Sequence, residues 1–88
     1  VNVQLTLIGK PGCHLCDDAR EAVAQVLANF QVDHPQVSVS LHEKNILDDQ
    51  ALMARYSEEI PVLLINDKVH NYWRIDKERL SLALEALA

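Results

Sequence analysis

A chain of 88 residues with 49% hydrophobic and 24% charged positions is ordinary for one globular domain, expected here to span residues 1–88. Its formal net charge of -5 repels a phosphate backbone, and no run of Lys and Arg reverses that balance, so nucleic acid is excluded as a partner. No apolar stretch approaches the ~20 residues of a membrane helix, and Val1-Asn2-Val3-Gln4 has neither a basic region nor a signal-peptide core, which sets the cytoplasm as the expected compartment.

Val3 to Ile8 alternates and then turns apolar, the pattern of a strand covered on both faces. Lys10-Pro11-Gly12 breaks it. A helix follows from about Cys13 to Phe30, with Cys16, Ala19, Val23, Val26, Leu27 and Phe30 on its apolar side. Asp33-His34-Pro35 is a turn, and Val37 to Leu41 has the strict period of two of a half-buried strand at or near a sheet edge. Asn45 to Asp49 reads as a loop leading into a short helix with Ala51, Leu52, Arg55 and Tyr56 on one side. Pro61 to Ile65 is a continuous apolar run, hence a central strand led by a proline. Asn66-Asp67-Lys68 supplies a tight turn, because Asn and Asp tolerate positive φ, and Val69 to Ile75 is the expected return strand. Asp76 caps a last helix, Lys77 to about Leu87, with Leu80, Ala83, Leu84 and Leu87 inward.

The order β-α-β-α-β-β-α implies an α/β fold: a right-handed βαβ unit followed by a hairpin, in a mixed four-stranded sheet with helices on both faces. Cys13 and Cys16 then fall at the carboxyl end of the first strand and the mouth of the first helix, where open α/β sheets bind ligands.

A disulfide between these two cysteines closes so short a loop that chain entropy assigns it at most about 2 kcal/mol. Stability is therefore a poor reason for the pair, and reversible chemistry a better one. The first turn of a helix carries unsatisfied N–H groups and about half a positive charge. A thiolate at Cys13 is stabilised there, Lys10 adds positive charge, and Asp17 opposes it. His14 has Asp18 four residues on, an expected surface pair. Cys13 is expected to be the exposed nucleophile, and Cys16, one turn in on the apolar side, the buried resolving thiol. A zinc site needs two further ligands, and His14, His34, His42 and His70 offer no partner at ligand spacing. No metal and no bound cofactor are expected.

Over nearly its whole length the chain resembles the glutaredoxin-like branch of the thioredoxin superfamily. Three stretches carry the likeness: Lys10-Pro-Gly-Cys-His-Leu-Cys16, Glu58-Glu-Ile-Pro-Val-Leu-Leu64, and the hairpin leading to the final helix. The resemblance implies a thioredoxin-like fold, a cis peptide bond before Pro61 facing the reactive sulfur, and substrate pairing along the backbone of Ile60. It also places Lys10 near the thiolate. The chain departs from the usual glutaredoxin pattern in reading Cys-His-Leu-Cys in place of Cys-Pro-Tyr-Cys, and Glu59-Ile60-Pro61 in place of Thr-Val-Pro. Trp73-Arg74-Ile75-Asp76 stands where a Gly-Gly turn and an acidic pair hold glutathione, so that only Asp76 matches that feature. In these respects it is most similar to small bacterial glutaredoxin-like proteins with a C-x-L-C motif.

The expectation is thus a monomeric dithiol–disulfide oxidoreductase whose partners are protein disulfides or low-molecular-weight thiols, with glutathione a candidate co-substrate. Its candidate site residues are Cys13 and Cys16 for catalysis and Lys10, His14, Ile60, Pro61 and Asp76 for substrate binding. The alternative from another class is a thioredoxin-fold interaction module whose cysteines are not catalytic.

Overall fold

The structure, a computed structural model, describes residues 2–88. In chain order it contains β1 (Asn2–Gly9), α1 (His14–Asp33), β2 (Ser38–Asn45), a single 3-10 turn (Ile46–Asp48), α2 (Gln50–Tyr56), β3 (Val62–Ile65), β4 (Lys68–Tyr72) and α3 (Lys77–Leu87). The four strands form one sheet in the order β2-β1-β3-β4. β1 pairs parallel with β2, whereas β1–β3 and β3–β4 are antiparallel. This is the mixed sheet expected of the sequence, with β2 at one edge and the apolar β3 inside.

Strand alternation divides the core between the two faces. Val3, Leu5 and Leu7 of β1 and Leu63 of β3 pack against Ala19, Val23, Val26 and Phe30 of α1 and Leu80 and Leu84 of α3. The intervening residues Ile8 and Val62 face the other way and meet Ile46, Tyr56, Ile60 and Cys16, with Leu52 and Met53 of α2 against them. Helices therefore cover both faces, α1 and α3 on one and the short α2 on the other.

The helix starts follow from capping residues. Asp49 Oδ1 accepts from the N–H groups of Ala51 and Leu52 at 2.9 and 3.2 Å, and Asp76 Oδ1 from Arg79 N–H at 3.0 Å. α1 runs past Phe30 to Asp33. It stops where His34, disfavoured from helical backbone by the following Pro35, turns to φ -132 while its N–H closes on Phe30 O at 2.8 Å.

Four sequence expectations are corrected. β2 does not end at Leu41. It stays in register with β1 from Asn2↔Ser38 to Gly9↔Asn45, because ladder bonds to a central strand hold polar edge residues as well as apolar ones. The expected loop at Asn45–Asp49 is consequently the strand's last residue and a 3-10 turn, with Asn45 Oδ1 accepting from Leu47 N–H at 2.9 Å. β4 ends at Tyr72 and not at Ile75, since Trp73 adopts φ 65 and its N–H turns back to Pro61 O at 2.8 Å. Leu87 is exposed rather than inward, one turn beyond the last contact of α3 with the core.

Candidate active site at the cysteine pair

The loop after β1 aims the cysteines. Gly12 sits at φ +72, a left-handed conformation that only a residue without Cβ adopts freely, and it turns the chain from the sheet into α1. Cys13 is the N-cap of α1 in extended backbone. The Cys16 N–H donates to Cys13 Sγ at 3.1 Å, and the Cys13 carbonyl accepts from Asp17 N–H at 3.0 Å. One of the unsatisfied amides of the helix start thus points at the Cys13 sulfur, in the geometry that stabilises a thiolate.

The two cysteines form a disulfide, with their Cα atoms 5.1 Å apart. They are not equivalent. Cys13 is half-buried, whereas Cys16 is 2% exposed. Cys16 lies in the smaller apolar cluster with Ile8, Ile46, Tyr56, Ile60 and Val62, and Cys13 packs on its rim. Gly9, the last residue of β1, makes this seat possible: a Cβ there would stand 2.9 Å from Cys16 Sγ and 3.2 Å from Cys16 Cβ.

The Ile60–Pro61 bond is cis, and Pro61 is buried. Ile60 lies in the same cluster as Cys16, beside Cys13. Neither its N–H nor its C=O has a backbone partner among the described residues. Trp73 braces this loop, because its backbone N–H donates to Pro61 O and its indole N–H donates to Glu58 O at 3.1 Å. Trp73 falls within the return strand expected over Val69 to Ile75. It is instead half-exposed, edge-on to Tyr72 at 4.9 Å, and ties the two loops together.

A cleft of about 350 Å³ opens beside the pair and is lined by Lys10, Cys16, Asp17, Arg20, Glu43 and Lys44. Lys10 is exposed on its rim. Within it, Arg20 forms a fork: Nη1 to Asp17 Oδ1 at 2.9 Å and Nε to Glu43 Oε1 at 2.6 Å. The hydrogen bond that Arg20 donates to Glu43, and then the one it donates to Asp17, raises the Arg20 pKa above its usual value. A second groove of about 530 Å³ runs between α1 and the Trp73–Ile75 turn and begins at Leu15, the residue before Cys16.

The remaining candidates fall as follows. His14 is exposed at the first turn of α1, and the expected His14–Asp18 pair does not form; the described ion pair of that turn is Asp17–Arg20. Asp76 is exposed, and its carboxylate accepts from the α3 backbone. Sequence reasoning missed Gly9, Arg20 and Glu43. Asp17 and Arg20 stand at helical i,i+3 spacing, a signal for their pairing, but the placement of Glu43 depends on the unforeseen length of β2. Among the described residues, no group of three or more His, Cys, Asp or Glu side chains converges as a metal site would require, and no helix is long and apolar enough to cross a membrane.

Fold and site together define a thioredoxin-fold protein with a disulfide-forming C-x-x-C pair, an arrangement suited to dithiol–disulfide exchange. The chain belongs to the family described as Glutaredoxin-like domain (DUF836), whose sequence profile matches residues 4–85. It is similar to a protein of X. campestris solved by X-ray crystallography, at 35% identity and a TM-score of 0.71 over 93% of this chain and 96% of that one. An uncharacterised protein of Mycobacterium tuberculosis is 26% identical over 88% of this chain and 77% of its own length. A thioredoxin of Halobacterium salinarum shares the fold at 20% identity, with a TM-score of 0.60 over 96% of this chain and 73% of that one.

Proposed function

We propose that this chain is a dithiol–disulfide oxidoreductase in which Cys13 is the nucleophile and Cys16 the resolving thiol. The observation that carries the assignment is the asymmetry of the pair. Cys13 caps the helix with an amide directed at its sulfur and reaches the surface, whereas Cys16 is enclosed beneath it.

In the reduced protein the Cys13 thiolate attacks one sulfur of a substrate disulfide. A bond forms between Cys13 Sγ and that sulfur, the substrate S–S bond breaks, and the departing thiolate takes a proton from water. Cys16 loses its proton and attacks Cys13 Sγ, which restores the intramolecular disulfide and releases the second substrate thiol. The substrate disulfide gains two electrons and the protein dithiol loses them. Thiols of a reducing compartment, for which the cytoplasm is our assignment, return the pair to the dithiol form by the reverse exchange.

The unpaired backbone of Ile60 next to Pro61 favours extended polypeptide as the disulfide-bearing substrate, engaged by a monomer. Low-molecular-weight thiols are the second partner class. The family likeness supports glutathione as co-substrate, with Lys10 the nearby positive charge for its carboxylate, His14 at the rim, and Asp76 at the start of α3.

Alkylation of the reduced protein against pH tests the assignment. Cys13 should react with a midpoint clearly below the ~8.5 of a free thiol, and Cys16 should stay unreactive in the native state. Cys16→Ser should accumulate a mixed disulfide and Cys13→Ser should not. A midpoint at or above ~8.5, or equal trapping by both variants, refutes the roles and favours an interaction module.

A further inference from the structure

The fork at Arg20 joins the first turn of α1 to the last part of β2 on the wall of the cleft beside the cysteines. Asp17 follows Cys16 directly and sits at the positive end of α1. A carboxylate there suits the helix, yet it opposes a second anion, the Cys13 thiolate, at the same helix end. Glu43 brings another carboxylate to the same cleft.

We propose that Arg20 is a positioning residue for the redox pair. By holding the carboxylates of Asp17 and Glu43 in one guanidinium fork, it offsets their negative charge and keeps Cys13 in the thiolate form near neutral pH. This rests on the assignment of Cys13 as the nucleophile.

The charge pattern of the cleft that Cys16 borders supports it. Lys10 from the β1–α1 loop, Arg20 from α1 and Lys44 from β2 line the same cleft as Asp17 and Glu43. Three cations thus meet two carboxylates, and loss of Arg20 leaves two against two. His14 lies exposed at the helix start, the α2 side adds the Tyr56 phenol with the Arg55 guanidinium 5.2 Å from its ring, and Glu59 lies in the loop before Ile60. Arg20 is therefore the cation in direct contact with both cleft acids. Its planar fork binds two carboxylates at once, as the point charge of Lys cannot, while Lys keeps the net charge.

The test is the pH midpoint of Cys13 alkylation in the reduced full-length protein, compared among the wild type, Arg20→Gln, Arg20→Lys, Asp17→Asn and the Arg20→Gln/Asp17→Asn double variant. An exposed pair of this kind changes the thiolate fraction by about twofold to threefold. Arg20→Gln should lower the fraction at pH 7 by about that factor. Arg20→Lys should lower it less, Asp17→Asn should raise it, and the double variant should return toward the wild type. The Arg20→Gln difference should shrink at about 1 M salt, where charges are screened beyond about 3 Å. The proposal fails when Arg20→Gln leaves the midpoint unchanged, when Arg20→Lys shifts it as far as Arg20→Gln, or when the shift persists undiminished at high salt. Failure of the nucleophile assignment looks different: the wild-type midpoint itself then lies at or above ~8.5, whatever the spread among variants.

Discussion

The two faces of the sheet are built to different standards. The face under α1 and α3 is a broad apolar layer, in which Val3, Leu5 and Leu7 lie across from two long helices whose inward residues repeat every three or four positions. The opposite face is thin. The single short helix α2 sets Leu52, Met53 and Tyr56 against it, in one small cluster with Ile60, Cys16 and, at its edge, Cys13. On the first face, shape is shared among many interchangeable side chains. On the second, a few residues fix where one sulfur sits: Gly9 by having no Cβ, Cys13 by capping, and Trp73 by bracing. The lesson is that the bulk of the core and the seat of the reactive sulfur rest on different residues, so that they can be perturbed one at a time.

The largest expected effect lies on the broad face. Leu5→Ala empties a fully buried position between the sheet and both helices and should cost about 2–5 kcal/mol in urea unfolding, as deletions of this size do. That is a large part of the total stability of a domain this small. The Cys13 alkylation midpoint should stay unchanged under conditions where the variant remains folded. A midpoint that moved with the core would show that the two faces are coupled.

The reverse perturbation is Gly9→Ala. The added Cβ would meet Cys16 Sγ at 2.9 Å, and in the oxidised protein that sulfur is tied by its bond to Cys13. Overpacking of this kind costs about 1–3 kcal/mol. The oxidised form should suffer more than the reduced form, in which the Cys16 side chain is free to rotate away. Urea unfolding of both redox forms checks this. Equal losses would mean that the backbone of β1, and not the sulfur, absorbs the clash.

The broad face was legible in the sequence because it is periodic. The alternation of β1, the helical spacing from Ala19 to Phe30 and the apolar run of β3 each signal their element, and the position of the cysteines after β1 follows from their order. What escaped detection depends on pairing across the chain. β2 continues through His42, Glu43 and Lys44 because β1 offers ladder bonds, not because those residues prefer a strand. Trp73 leaves the strand pattern because its N–H finds Pro61 O and its indole finds Glu58 O, contacts that no local spacing encodes. The Arg20–Glu43 bond spans 23 positions, and it exists only once the unexpected end of β2 is in place.

The smallest expected effect belongs to His70, on the edge strand far along the sheet from β2. The β3–β4 ladder slips between Leu63 and Leu64, which pair with Asn71 and Val69, so His70 is the extra residue of a bulge. Its Nε2 is buried without a hydrogen-bond partner among the described residues. Burial, and secondly the charge of Arg79, push its pKa below the usual 6.5, against a weaker upward pull from Asp76. The folded state therefore prefers the neutral ring. Well above pH 6.5 both folded and unfolded chains hold it neutral, and the site contributes no pH dependence. As pH falls through that value the unfolded chain binds a proton first, so stability declines until the folded ring is protonated in its turn. His70→Gln should flatten this part of the acid limb in urea titrations, while the carboxylate-driven losses at lower pH remain in both proteins. Identical slopes just below pH 6.5 would mean that water reaches Nε2 in the bulge and that the ring titrates as it does in the unfolded chain.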